Sequence, residues 1–217
     1  MGKIRKGILG GFSGKVGTVV GSFWKGKAVM RSLSGSTKKE LTELQKKQNK
    51  IFAYVMNVLS AMYYVIKFGF YGVKGKTELN DATSYNLKNA LTPDGEFGFD
   101  RVKLSNGHYG TNTQINFDYI DEGVGMPKRA VFSPANGKEN EYFMGIIYSK
   151  EHNECRTCIS PTTNSDEINL TDLIPSQCYA WYIFFTVDPT RDETPRTGKE
   201  IQIPAKKRSP AFYVGAL

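Results

Sequence analysis

The stretch Leu173-Ile-Pro-Ser-Gln-Cys-Tyr-Ala-Trp-Tyr-Ile183 decides the fold of the C-terminal half of this chain. A proline-containing loop leads into a run of apolar and aromatic residues, which is typical of a buried β-strand. Further short apolar segments lie on both sides of it, and turn residues separate them. The sequence therefore predicts an antiparallel β-sandwich over residues 96–217. Its strands are expected near 98–105, 113–120, 128–133, 141–149, 155–160, 166–171, 178–187, 199–203 and 210–215.

The same stretch carries a spacing that resembles the start of the penultimate strand in fibronectin-III-like domains. Leu173, Pro175 and Tyr179 match the pattern Leu-x-Pro-x-x-x-Tyr. The resemblance implies a fibronectin-III/Ig-like sandwich in which the Tyr179 hydroxyl bonds back to the preceding loop, an arrangement called a tyrosine corner. The alternative is an ordinary connection from loop to strand with Tyr179 on the surface. We favour the corner because the strand that follows is strongly apolar.

Helical spacing of apolar residues dominates the segment 37–95. One long helix is expected over 37–67, and a shorter helix over 80–91. The uncharged run 51–66 is shorter than the roughly 20 residues that span a membrane, so we interpret it as a buried core helix and expect no membrane contact. Together with the sandwich, these helices predict an α+β fold.

Nearly all of the net positive charge lies in the first fifty residues. They hold twelve Lys or Arg and two acidic residues, whereas the whole chain has a net charge of +8, so the remainder is slightly acidic. Residues 1–36 are also rich in glycine, and two short β segments flank Lys25-Gly26-Lys27. The sequence thus predicts a basic β-ribbon arm at 1–36. This asymmetry indicates an anionic partner or an assembly role for the arm.

Basic and aromatic residues are interleaved in this arm, which makes it the strongest candidate for a binding site. Cationic side chains neutralise phosphates and aromatic rings stack on bases, so the pattern favours nucleic acid. An arm that docks on an acidic neighbouring subunit would instead use the glycines for close packing and bury the aromatic rings at the interface. The two roles are compatible. The candidate contact residues are Lys3, Arg5, Lys6, Lys15, Phe23, Trp24, Lys25, Lys27 and Arg31.

Three blocks of sequence resemble a Bacteroidetes-type bacterial family of unknown function. The first is Lys6-Gly-Ile-Leu-Gly-Gly-Phe-Ser-Gly-Lys-Val-Gly-Thr-Val-Val-Gly-Ser-Phe-Trp-Lys-Gly26, which follows the signature KGxxGGFSGKVGxVVGxxWKG. The second is Asn80-Asp-Ala-Thr-Ser-Tyr-Asn-Leu-Lys-Asn-Ala-Leu91, and the third is Ser209-Pro-Ala-Phe-Tyr-Val-Gly-Ala-Leu217. The resemblance implies the architecture above and brings no assigned catalysis. Residues 121–165 fit it poorly, so the strand order there stays open.

Candidate catalytic and metal-binding residues are few. His152, Cys155, Cys158 and Cys178 have the side-chain types of a zinc site. However, Cys155 and Cys158 are three residues apart in an expected strand and so face opposite sides. The glycine-rich run 10–17 lacks the Ser or Thr that a phosphate-binding loop requires after its lysine. We therefore expect no enzymatic activity, no cofactor and no metal.

These observations predict a non-enzymatic structural or assembly protein, a component of a phage virion or phage-like particle, whose arm anchors it to neighbouring subunits or nucleic acid. One alternative is a stand-alone, non-specific nucleic-acid-binding protein with a steep salt dependence. A second is a zinc-dependent protein that uses the four ligands above. The first residues lack the apolar region and cleavage site of a signal peptide. We therefore expect a cytoplasmic protein during synthesis and a particle-bound one after assembly.

Overall fold

The structure is a computed structural model with an α+β architecture, as the sequence predicts. It describes residues 2–3, 11–24, 26–33, 40–72, 76–92, 95–123, 127–187 and 207–217. Within these ranges it contains three α-helices and three antiparallel sheets. The chain divides into two compact units, Met1–Glu43 and Leu44–Leu217, so the helices and the C-terminal strands share one unit. The strand predicted near 199–203 lies outside the described residues.

The first unit contains a four-stranded antiparallel sheet. Its strands are β1 (Gly2–Lys3), β2 (Gly14–Val16), β3 (Val19–Trp24) and β4 (Lys27–Ser32), in the order β1-β4-β3-β2. Gly17 and Gly26 lie in the two tight turns β2–β3 and β3–β4, where their φ angles of +59° and +73° favour glycine. The two β segments predicted around Gly26 are confirmed as the β3–β4 hairpin. The sheet is wider than the predicted ribbon, because β1 and β2 pair with its two edges.

The helical layer belongs to the second unit. It consists of α1 (Glu43–Ala61), α2 (Tyr63–Gly69) and α3 (Glu78–Asn89). The single helix predicted over 37–67 is wrong, because the chain bends by 81° at Met62, between α1 and α2. Met62 is fully buried, and the bend lets Val58 of α1 and Ile66 of α2 reach the same core. Helical spacing does not reveal such a bend, since both segments carry apolar residues on the side that packs.

Seven strands follow the helices in the described part of the chain. They are β5 (Ile115–Ile120), β6 (Arg129–Pro134), β7 (Tyr142–Ser149), β8 (Glu154–Pro161), β9 (Asp166–Asn169), β10 (Cys178–Phe185) and β11 (Phe212–Ala216). They form a three-stranded antiparallel sheet in the order β5-β6-β9 and a four-stranded one in the order β11-β10-β7-β8. The strand predicted at 98–105 is wrong. That segment is a 3₁₀ turn, Phe99–Arg101, followed by extended chain. The Lys103 N–H in this extended chain donates to the Asn86 side chain of α3 and not to a neighbouring strand.

β7 and β10 lie in the middle of three layers. On β7, Met144, Ile146 and Tyr148 pack against the helices, whereas Phe143 and Ile147 pack against the three-stranded sheet. The residues of β10 alternate in the same way, since the two strands are paired along their full length. The second unit is therefore a helical layer, the four-stranded sheet and the three-stranded sheet, in that order. Within the described ranges, no single helix is long and apolar enough to span a membrane. Among the described helices, only α1 and α2 taken together meet both criteria, and they are bent relative to each other by 81°.

The tyrosine corner predicted at Tyr179 is not formed. Tyr179 lies on the helix-facing side of β10, where its ring stacks on Phe99 at a centroid distance of 3.9 Å. No hydrogen bond among the described residues joins its hydroxyl to the preceding loop. Strand alternation is the reason, because the buried Cys178 faces the other sheet and Tyr179 therefore cannot.

Arg156 holds the loop before β10, the role that the tyrosine corner was predicted to have. Its guanidinium donates to both carboxylate oxygens of Asp172, at 2.9 and 2.7 Å, and to the Asn169 carbonyl at 2.7 Å. This bidentate contact lowers the pKa of the Asp172 carboxyl. In the same loop, Leu173 is buried in the core between the sheets and Pro175 begins a short 3₁₀ turn.

A buried arginine ties distant parts of the second unit together. Arg208 is fully buried, and its Nη2 donates to the Tyr71 carbonyl at 2.8 Å and to Asn106 Oδ1 at 2.5 Å. Burial lowers the pKa of its guanidinium to about 10. The next residue, Ser209, accepts a hydrogen bond at its carbonyl from the Ser105 hydroxyl at 2.7 Å. Arg208 and Ser209 are thus built into the core, whereas Lys207 and Pro210 on either side of them are exposed.

We predict that Asn86 is essential for attaching α3. Its fully buried amide donates to the Lys103 and Ala82 carbonyls and accepts from the Lys103 N–H. Asn86→Ala leaves both backbone groups of Lys103 without this partner, so the free energy of unfolding should fall by about 2–3 kcal/mol in urea denaturation. Asn89→Ala is the control, because Asn89 is exposed and bonds the Tyr85 carbonyl in its own helix. Equal losses for the two variants would contradict the prediction.

A second prediction concerns Gly145, on β7 where the two sheets pack. A Cβ atom there would lie 2.7 Å from Cys158 Sγ and 2.8 Å from the Phe132 ring. Gly145→Ala should therefore lower the free energy of unfolding by about 1–3 kcal/mol through overpacking. Gly110→Ala, where a Cβ atom would meet nothing within 4 Å, should change it by less than about 0.5 kcal/mol. An unchanged urea midpoint for Gly145→Ala would show that the sheets do not pack in this way.

Candidate functional site

The register of the N-terminal sheet fixes which side each candidate contact residue faces. Residues directly opposite each other in antiparallel strands point to the same side. Lys15 pairs with Val20, Val20 pairs with Arg31, and Trp24 pairs with Lys27. Because Val20 and Trp24 are four residues apart on β3, these pairs all point to one side of the sheet. We call this side the basic face; its described members are Lys15, Val20, Ser22, Trp24, Lys27, Val29 and Arg31.

The charged members of the basic face are open to solvent. Lys15, Lys27 and Arg31 are exposed, and Trp24 is 47% exposed. Val29, which lies between the two basic ends, is only 6% exposed, so the centre of this face is covered. Residues 1–39 contain no acidic residue, so this stretch does not compensate its own positive charge. The face can therefore attract phosphate or carboxylate groups and offer an aromatic surface beside them.

On the opposite face of the sheet, aromatic rings pack closely against glycine residues. A Cβ atom at Gly21 would overlap the ring of Phe12, and one at Gly11 would lie 2.9 Å from the ring of Phe23. Phe23 points to this side because it is adjacent to Trp24 on β3. Phe23 and Trp24, which the sequence analysis placed together among the candidate contact residues, thus lie on opposite sides of the sheet.

The other candidate contact residues are described only in part. Arg5, Lys6 and Lys25 lie outside the described residues, and for Lys3 the structure gives the backbone pairing with Val29. Sequence reasoning missed the contribution of Val20, Ser22 and Val29 to the basic face. They could have been predicted from the hairpin, because every second side chain along a strand points to the same face.

The four candidate zinc ligands are not brought together. Cys155 packs on the helix side of β8, whereas Cys158 and Cys178 lie in the core between the two sheets. His152 lies in the turn between β7 and β8, with Nδ1 3.4 Å from the Ser149 hydroxyl. In the part of the chain that the structure describes, no group of three His, Cys, Asp or Glu residues could hold a metal ion.

Burial also disfavours the thiolate form that binds metals. It raises the pKa of Cys155 and of Cys158 to about 12, and it raises the pKa of Cys178 as well. Only a deprotonated thiol is a good metal ligand. The position and the chemistry of these cysteines are therefore those of core residues.

One buried carboxylate was missed by sequence reasoning. Glu141 is 2% exposed and accepts hydrogen bonds from the Tyr109 hydroxyl at 2.9 Å and the Thr113 hydroxyl at 2.5 Å. Burial and then this hydrogen bond raise the pKa of Tyr109. The contacts fasten the chain before β5 to the start of β7. No pattern in the sequence marks Glu141, since a lone acid next to a turn is normally solvated.

Comparison with known proteins finds a family match for about half of the chain. Residues 11–116 match the model of a family of unknown function, DUF6266. The match runs from β2 through the helical layer to the start of β5, and it confirms the predicted resemblance to a family of unknown function. No curated protein and no solved structure matches the chain significantly.

We predict that the three cysteines are unreactive in the folded protein. With a pKa of about 12, the Cys155 thiol is almost entirely protonated at neutral and mildly alkaline pH. Labelling with DTNB at mildly alkaline pH should be slow for the native protein and fast for all three thiols in denaturant. Cys155→Ser should leave the native rate unchanged. Rapid native labelling of Cys155, located by mass spectrometry, would contradict the prediction.

Proposed function

We propose, for a chain whose residues 11–116 match the DUF6266 family model, a non-enzymatic structural or assembly function in which the N-terminal sheet attaches the protein to an anionic partner. The observation that carries this proposal is the basic face. Lys15, Lys27 and Arg31 are exposed on one side of the sheet, with Trp24 beside them. The partner is the acidic surface of a neighbouring subunit or a nucleic acid, since both carry the negative charge that a basic face attracts.

We also propose that the strands β5 to β11 form a fibronectin-III/Ig-like sandwich. Their order supports it. If β5, β6, β7, β9, β10 and β11 are labelled A, B, C, E, F and G, one sheet is A-B-E and the other contains C-F-G, the groupings of Ig-like domains. β8 lies next to C, and the shared core of the two sheets adds support. A fold does not imply a function, so the functional argument stays with the basic face.

The setting that we propose is a phage virion or phage-like particle. Its support comes from the sequence: the charge is concentrated in one small unit, and no motif for catalysis accompanies it. Such a protein is made in the cytoplasm and then incorporated through contacts with copies of itself or with other subunits. Stand-alone binding of nucleic acid is the second candidate, and the exposed Trp24 favours it. The separated zinc ligands give the third alternative no comparable support.

Self-association through the basic face is the testable prediction. Light scattering coupled to size exclusion, with ultraviolet absorbance to detect nucleic acid, should show an oligomer at low salt. The triple variant Lys15→Ala, Lys27→Ala, Arg31→Ala should shift it towards monomer, because it removes the attraction to the anionic partner that holds the copies together, whether a neighbouring subunit or a bridging nucleic acid.

The matched control removes the same charge from exposed positions in the second unit. It combines Lys88→Ala, Lys138→Ala and Lys150→Ala and should leave the oligomer intact. A protein that is monomeric at every salt concentration would overturn the assembly function.

A further inference from the structure

We infer that the anionic partner of the basic face is single-stranded nucleic acid, with a base stacked on Trp24 and phosphates next to the flanking cations. This inference rests on the proposed attachment function and specifies its partner. It uses the register of the sheet, the exposure of Trp24 and the absence of acidic residues from residues 1–39.

Cationic residues lie at both ends of the basic face. Lys15, Val20 and Arg31 form a row across β2, β3 and β4, so the Cα atoms of the two cations are about 10 Å apart. Trp24 and Lys27 form a second row, four residues along β3 and about 13 Å away. A strand of nucleic acid that runs from one row to the other meets positive charge at each end and an aromatic ring at one of them.

Trp24 favours nucleic acid over an acidic protein as the partner. Its indole is 47% exposed and lies directly across the hairpin from Lys27. A nucleic acid offers a flat base to the ring and a phosphate to the ammonium group next to it. Carboxylates on a protein surface would satisfy Lys27 and Arg31 but would leave the ring without a matching surface.

The exposed ring also favours a single strand over a duplex. In a duplex the bases stack on one another and present only their edges in the grooves, whereas unpaired bases can be splayed out onto aromatic side chains on a sheet surface. The described members of the basic face include no Asn, Gln, Asp or Glu that would read base edges. We therefore expect binding that tolerates different sequences.

The test is titration of the full-length protein with a labelled, short oligothymidylate, followed by fluorescence anisotropy and by tryptophan emission. The chain has two tryptophans, and Trp181 is fully buried, so quenching on binding reports Trp24. Trp24→Leu should weaken binding about tenfold and abolish the quenching. Trp24→Phe should retain most of the affinity, which separates loss of stacking from loss of folding.

Phe23→Leu is the matched control for Trp24→Leu. It changes the adjacent aromatic residue, which is also exposed but lies on the opposite side of the sheet, so the affinity should stay within about twofold. For the charges, Lys27→Ala with Arg31→Ala should reduce the slope of log affinity against log salt by about 1.4, since each single-strand phosphate contact contributes roughly 0.7.

Several results would overturn the inference. They are no binding of the oligothymidylate, equal weakening by Trp24→Leu and Phe23→Leu, or equally tight binding of a duplex of the same length. Polyglutamate serves as the acidic-protein probe, and preferential binding of it would assign the face to a protein partner. An oligomer that is intact but does not bind the oligothymidylate refutes this inference alone, whereas a monomer that binds it refutes the assembly function alone.

Discussion

The burial of β7 and β10 on both faces is the constraint on which the second unit depends. Their sequences, Tyr142–Ser149 and Cys178–Phe185, are apolar at almost every position, so neither face of the pair can remain in water. The helices cover one face and the three-stranded sheet covers the other. The bend at Met62 follows from the same requirement, because one straight helix would not bring both of its apolar segments onto the sheet.

The strands of the second unit could be predicted because turn residues mark their ends and apolar residues fill them. The helix bend could not be predicted, since the apolar spacing continues through Met62 without a Gly or Pro to mark a break. The segment 98–105 has the composition of a strand, yet its backbone is held by the Asn86 side chain and not by a second strand. Such a bond between distant residues leaves no local pattern.

The side that a residue faces was harder to predict than the element that contains it. Tyr179 matches the spacing of a tyrosine corner, but it faces the helices, and a shift of one residue along a strand reverses every side chain. The same rule separates Phe23 from Trp24, and this separation could have been predicted once the hairpin was accepted. The composition of the basic face was evident from the sequence, whereas its grouping on one side required the pairing register.

The buried Arg208 has a consequence for the order in which the protein is completed during translation. Its partners Tyr71 and Asn106 precede it by more than a hundred positions. While the ribosome is still adding the chain before residue 208, these polar groups lack their final partner and β10 lacks β11. Long-range closure of this kind slows folding. The nascent second unit should thus stay a substrate for chaperones and proteases until the segment around Arg208 has left the exit tunnel.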